Sequence, residues 1–229
     1  MQLLISKRIK MSNDYSKLSN EELLKLKQQA EFDISKYHNF QLVRKIQLNS
    51  AYGAIGNQYF RYYSTELAEA ITLSGQLSIQ WIGQELNKYL NKVVGTTDVD
   101  YVIASDTDSV YLCLDNLVNK VMPNASTQKI VDFLDKSAND IILPFIDKQY
   151  KQLADTMNAY ENRMQMGREV IADKGIWTAK KRYMLNVWDS EGVRYKEPKL
   201  KIKGIETTRS STPEFVRKHL KTEIGRAHV

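Results

Sequence analysis

Two carboxylates one residue apart, in Asp106-Thr107-Asp108-Ser109, lie between the apolar runs Tyr101-Val-Ile-Ala104 and Val110-Tyr-Leu-Cys-Leu114. Short runs rich in β-branched and aromatic residues predict strands, and the short polar link between them predicts a hairpin. Side chains alternate along extended backbone, so Asp106 and Asp108 are expected on one face, where their oxygens could approach one cation. Magnesium, a hard cation that takes oxygen ligands, suits such a pair. Short Asp and Ser side chains also bond their own backbone in ordinary turns, so the motif alone does not decide. An EF-hand loop is excluded, because Val110 and Tyr111 stand where it needs Asp or Asn and then Gly. The metal-binding D-x-D of a nucleotide-sugar transferase stays open on these residues alone.

Two further clusters could bind anions. Lys45, Asn49, Tyr52 and Gly56 are spaced by four, three and four residues, which places them on one helix face. With Gly53 beside them, they would offer a cation for phosphate and a surface open to close approach. A solvent-facing Lys45 and Asn49, with Tyr52 covering the core, fits the same spacing. Downstream, Lys180-Lys181-Arg182-Tyr183 joins three cations to a ring and is followed by an alternating run to Asp189. Such cations suit phosphate contacts, which give affinity and register without reading sequence. A solvated charged face is the plain alternative. Four more lysines follow between Lys196 and Lys203.

These clusters need elements to hold them. Asn20 to Gly53 reads as a helix with Ser19 or Asn20 as cap, Glu21 and Glu22 in the first turn and a break near Tyr37-His38-Asn39. A second helix is expected over Glu66 to Leu90, with Leu67, Ala70, Ile71, Leu77, Trp81 and Leu86 facing the core. Helical spacing returns from Ser126 to Tyr160, with Pro144 a kink or boundary. Extended segments are expected at Gln165 to Ala172, Tyr183 to Trp188 and Lys199 to Ile205, with a hairpin turn at Asp189-Ser190-Glu191-Gly192. Helices interrupted by antiparallel hairpins define an α+β fold.

Composition sets outer limits. The 229 residues are 42% hydrophobic and 26% charged, too apolar for a disordered chain. A net charge of +6 with a pI near 9.1 leans toward an anionic partner. The single cysteine, Cys113, is placed in the second strand of the hairpin and has no intramolecular partner, which fits a reducing compartment. No apolar run approaches membrane-spanning length, and Met1-Gln-Leu-Leu-Ile5 lacks a signal-peptide layout, so a cytoplasmic location without membrane partners is expected.

The three clusters together resemble the family B DNA polymerases, most of all those of T-even-type bacteriophages. Lys45-Ile-Gln-Leu-Asn49-Ser50-Ala-Tyr52-Gly53 is similar to the fingers motif K-x-x-x-N-S-x-Y-G, Asp106-Thr-Asp108-Ser109 to the palm motif, and Lys180-Lys-Arg-Tyr183 to K-K-R-Y, in the family's order. The likeness runs from about residue 17 to about 222 and takes in Phe60-Arg-Tyr-Tyr63, Leu185-Asn-Val-Trp-Asp189 and Lys199-Leu-Lys-Ile202. It implies a polymerase palm, an antiparallel sheet packed on helices and preceded by a fingers helix, adding deoxynucleotides to a primer in viral DNA replication. By this resemblance Asp108 would ligate two magnesium ions that align the primer hydroxyl with the α-phosphate. Asp106 would tune that geometry, and Glu169 would be an auxiliary metal-site carboxylate. Lys45, Asn49, Tyr52 and Gly53 would bind the incoming nucleotide. Lys181 would reach the primer terminus and support metal placement, while Lys180, Lys181, Arg182, Tyr183 and Asp189 would hold the duplex or its binding strands.

The resemblance also divides the chain: residues 1–57 as the end of the fingers, 58–204 as the second part of the palm, 205–222 as the start of the thumb. Glu223-Ile-Gly-Arg-Ala-His-Val229 departs from the family, is similar to a translated sequencing adapter, and is taken as a non-native tail. Ala104-Ser105 replaces the family's usual Tyr-Gly, which bears on contacts near the primer terminus. The family's other essential aspartate belongs to D-x-x-S-L-Y-P-S, which does not occur in residues 1–44. The expected partners are therefore primer-template DNA, deoxynucleoside triphosphates, a missing N-terminal polymerase part and the sliding clamp of the complete enzyme, in the cytoplasm of a bacterial host. The isolated chain is expected to be inactive. It belongs either to a split polymerase gene starting at Met1 or to an incomplete reading frame. The alternatives are a noncatalytic DNA-binding subunit of a split polymerase and a D-x-D transferase, and the latter leaves the two basic clusters unexplained.

Overall fold

The computed structural model describes residues 18–227, so the first 17 residues of the expected fingers part and residues 228 and 229 of the expected tail lie outside the described residues. The chain falls into two compact units, one running to Ile71 and one from Thr72 onward. The expected division at residue 57 lies within the first.

Helix α1 (Asn20–Ile55) starts at a capping box. The Glu22 N–H donates to Ser19 Oγ at 3.3 Å, and the Ser19 N–H donates to Glu22 Oε2 at 2.9 Å. The break expected near Tyr37-His38-Asn39 does not occur, and α1 runs unbroken for 36 residues. Without Gly or Pro, those three residues cost only ~0.7 kcal/mol each at most in helix propensity, too little to interrupt a long helix. No residue of α1 is buried.

Helix α2 (Thr65–Val94) buries Ser78, Ile82, Leu86, Leu90 and Val94, one row at i, i+4 spacing. The expected stripe is corrected in its first half: Leu67, Ile71 and Leu77 are 57%, 51% and 37% exposed. Ala70 is exposed as well. Leu86 is fully buried and Trp81 packs against its cluster with Ile142, Ile146 and Tyr150. Leu90, Val94 and Tyr101 form the adjoining cluster.

Two asparagines of α2 hold the chain that enters the carboxylate hairpin. Asn87 Oδ1 accepts from the N–H groups of Tyr101 and Val102, both at 2.9 Å. Asn91 Oδ1 accepts from the Val99 N–H at 3.0 Å, and its Nδ2 donates to the Val99 carbonyl at 2.7 Å. Backbone groups that have left one helix and not yet joined a sheet thus keep their partners. Strands β1 (Val102–Asp106) and β2 (Ser109–Leu112) then pair antiparallel as expected. Cys113 lies just past β2, half-buried, its N–H on the Tyr101 carbonyl at 2.9 Å.

After α3 (Asp115–Val121), α4 (Thr127–Ser137) passes through a π-helical turn, Ala138–Ile142, into α5 (Leu143–Thr156). Pro144 has no N–H to give, and the wider turn ahead of it carries the helix past that gap, with the Leu143 N–H on the Ala138 carbonyl. A second antiparallel sheet follows in the order β3 (Val170–Ala179), β4 (Arg182–Ser190), β5 (Val193–Lys203). The hairpin expected at Asp189–Gly192 is present. Residues 165–169, expected to be extended strand, precede β3, which instead runs on to Ala179 and turns at Lys180-Lys181 into β4. A 3₁₀ turn (Glu206–Thr208) and α6 (Glu214–Ala227) complete the described chain, so the backbone of the expected tail is helical as far as residue 227. Among the described residues no helix is long and apolar enough to cross a membrane. The α+β fold is as expected.

Candidate active site

Two of the short turns of the second unit carry the expected site residues. The β1–β2 link is Thr107-Asp108, with Thr107 at φ 57° and the Asp108 N–H donating to the Asp106 carbonyl at 2.7 Å. Thr107 Oγ1 donates to Asp106 Oδ1 at 3.0 Å, and the Ser109 hydroxyl donates to the Asp106 carbonyl at 3.1 Å. This tight turn interrupts the extended alternation expected to put both carboxylates on one face. Asp106 is half-buried, while Asp108 is exposed at the tip. Burial raises the Tyr150 hydroxyl above its ordinary pKa, and the charge of Asp108 raises it further.

The β3–β4 link is Lys180-Lys181, with Lys181 at φ 63°. Lys181 Nζ lies 3.8 Å from Asp106 Oδ1. Between the turns lies a cleft of about 280 Å³ lined by Ala104 to Asp106, Tyr111, Trp177 to Lys181 and Tyr183. One wall is aromatic: the rings of Tyr111 and Trp177 stand 5.3 Å apart, and those of Tyr111 and Tyr183 5.4 Å. Burial, then the hydrogen bond to Tyr111, hold the Tyr183 hydroxyl far above its ordinary pKa, with the Glu169 and Asp106 charges adding to it. Tyr183 is thus a neutral, 7% exposed wall group.

The remaining expected residues are placed as follows. Lys180 is exposed at the turn, and Arg182 is ion-paired to Glu206. Asp189 is 1% exposed at the end of the buried row Tyr183, Leu185, Val187. Arg168 Nη1 meets Asp189 Oδ1 at 2.5 Å, Arg194 Nε meets Oδ2 at 3.1 Å, and the Gly192 N–H donates to Oδ1 at 3.0 Å. Asp189 thus ties the end of β4 to Arg168 and Arg194. Glu169 pairs with Lys201 Nζ at 2.7 Å. In the first unit, Lys45, Asn49, Tyr52 and Gly53 are all exposed on α1, and nothing stands within 4 Å of a Cβ added at Gly53.

Among the described residues no three His, Cys, Asp or Glu side chains stand together to hold a metal ion. Asp106 and Asp108 still suit magnesium, which is commonly held by one or two carboxylates with substrate phosphates and water completing its shell. Sequence reasoning missed the aromatic wall. Alternation in β2 puts Tyr111 on the face of Ser109, but Trp177 becomes its neighbour only through the unforeseen β3–β4 hairpin.

An acidic turn and a basic turn thus face each other across a cleft in a fold of helices and antiparallel sheets. This chain belongs to DNA polymerase family B, whose family model it matches over residues 17–226. It is similar to the DNA-directed DNA polymerase of Escherichia phage RB69, at 48% identity over 196 residues, covering 81% of this chain and 22% of that one. It is also 44% identical over 236 aligned positions to the DNA-directed DNA polymerase of Enterobacteria phage T4, covering 97% of this chain and 26% of the relative. The chain thus spans about a quarter of the length of these relatives.

Proposed function

We propose that this chain supplies the end of the fingers, the second part of the palm and the start of the thumb of a phage DNA-directed DNA polymerase that extends a primer 3′-hydroxyl on a template during viral DNA replication in the host cytoplasm. The observation that carries the reading is Lys181 facing Asp106 across the cleft at 3.8 Å. The family match and the two phage relatives support it. Asp108 and Asp106 would hold the magnesium ions. Bound there, two ions would align the primer hydroxyl with the α-phosphate and offset charge in the in-line displacement. Lys181 would keep a cation at the primer terminus, and the aromatic wall of Tyr111, Trp177 and Tyr183 would exclude water from that side of the cleft. Lys180 and Arg182 would hold duplex phosphates, and Asp189 would brace the strands beneath them. Lys45 and Asn49 would meet the triphosphate, with Tyr52 and the open space at Gly53 receiving the base pair. The other catalytic aspartate and the sliding-clamp contact would come from the rest of the polymerase.

Primer extension by this chain with and without an upstream D-x-x-S-L-Y-P-S segment tests the reading. Extension only when both are present is the expected result. A noncatalytic DNA-binding role is the second reading, favoured by the basic turn Lys180-Lys181-Arg182, whose cations suit phosphate contacts without any chemical step. Primer-template binding without extension in the reassembled enzyme would select it.

A further inference from the structure

Lys181 sits in the left-handed region at φ 63°, a conformation that a residue with a side chain keeps only where its surroundings impose it. What surrounds it is the end of β5. Gly204, at φ 66°, presses against the turn: a Cβ there would overlap the Lys181 carbonyl oxygen and stand 3.1 Å from the Lys181 carbonyl carbon and 3.3 Å from Arg182 Cγ. Both the backbone angle and the contact demand glycine. Two residues on, Glu206 is ion-paired to Arg182. From the other side, Thr178 Oγ1 donates to the Arg182 carbonyl at 3.2 Å. The pairing of Tyr183 with Lys203 brings the end of β5 to this turn.

We infer that Gly204 is a positioning residue for Lys181: its bare Cα is the stop against which the β3–β4 turn is set, and this fixes the cation opposite Asp106. Glu206 secures the same turn through Arg182. The inference rests on the reading of Lys181 as an active-site cation. A side chain at 204 has to push the Lys181 carbonyl away, and displacements near 1 Å at a reacting centre cost about 10²-fold in rate.

The test is a double-mutant cycle in the complete polymerase, reading single-turnover nucleotide addition, primer-template Kd and melting. Gly204→Ala is expected to slow addition about 10²-fold with primer-template Kd little changed. In a Lys181→Ala background it should cost no more than about twofold, because the cation it sets is gone. Equal losses in both backgrounds would mean general structural support and overturn the inference. If Gly204→Ala abolishes the melting transition, Glu206→Ala carries the test: a slower rate with Lys181 present and no further loss without it is expected, and an unchanged rate overturns the inference. Wild-type addition by Lys181→Ala would instead remove the functional reading beneath it.

Discussion

Lys181 Nζ stands 3.8 Å from Asp106 Oδ1, joining the turn after β3 to the last residue of β1. The lysine side chain is 65% exposed and the aspartate 33%, so the pair adds at most ~1 kcal/mol to stability. Its value is placement. Lys181→Ala is expected to leave chemical denaturation nearly unchanged while slowing nucleotide addition about 10²-fold, the scale of losing one preorganised charge partner.

Asp108→Ala in the complete enzyme should abolish nucleotide addition and leave primer-template affinity largely intact. Asp108 is exposed at the turn tip, so the loss would not come through unfolding. Addition at the wild-type rate in a quench-flow assay would contradict its assignment as a metal ligand.

Lys45→Ala should weaken nucleotide use, seen as a raised KM or a lowered kcat for the incoming nucleotide. The side chain is exposed on a helix without buried residues, so melting should not move. Unchanged steady-state constants would mean that Lys45 simply faces solvent.

Asp189→Asn should destabilise the second unit by about 1–3 kcal/mol, the cost of weakening charge-assisted hydrogen bonds at a buried group, while Asp135 and Asp132 still pair Arg168 and Arg194. Burial alone would raise the Asp189 pKa, but hydrogen bonds from Arg168, Arg194 and Gly192 outweigh it and hold the carboxyl below its ordinary value of 3.8. The unfolded chain therefore takes up the proton first as pH falls. The stabilisation is full above the ordinary value and is lost as pH drops through the lowered one. Urea melts across the acid range should show a shallower fall in stability for Asp189→Asn than for the native chain.

Much of this was legible in the sequence because local rules governed it. Ser19 with Glu22 announced the start of α1, Asp106 to Ser109 announced a turn, and Glu191-Gly192 announced the β4–β5 hairpin, where both residues take positive φ at 52° and 85°. The β3–β4 turn was hidden because Lys180-Lys181 carries no Gly, Asn or Asp. Its geometry is imposed from Gly204, over twenty residues away in sequence. The Asp189 cluster was hidden for the same reason: Arg168 also reaches Asp135 on α4, at 2.7 Å, a pairing set by tertiary structure. In α2 the apolar residues of the first half suggested a core stripe, yet burial begins only at Ser78. Hydrophobic spacing shows which residues could be covered, and only the packed chain shows which are.

Each hairpin of the second unit closes through two residues: Thr107-Asp108, Lys180-Lys181 and Glu191-Gly192. Side chains on a strand alternate with period two, so one residue added at the middle link would slip β4 by one place and invert it, carrying Tyr183, Leu185, Val187 and Asp189 outward. Chemistry at these turns can be retuned by exchanging side chains, whereas their length is a fixed measure. A peptide tag or an insertion has to be sited elsewhere in the chain.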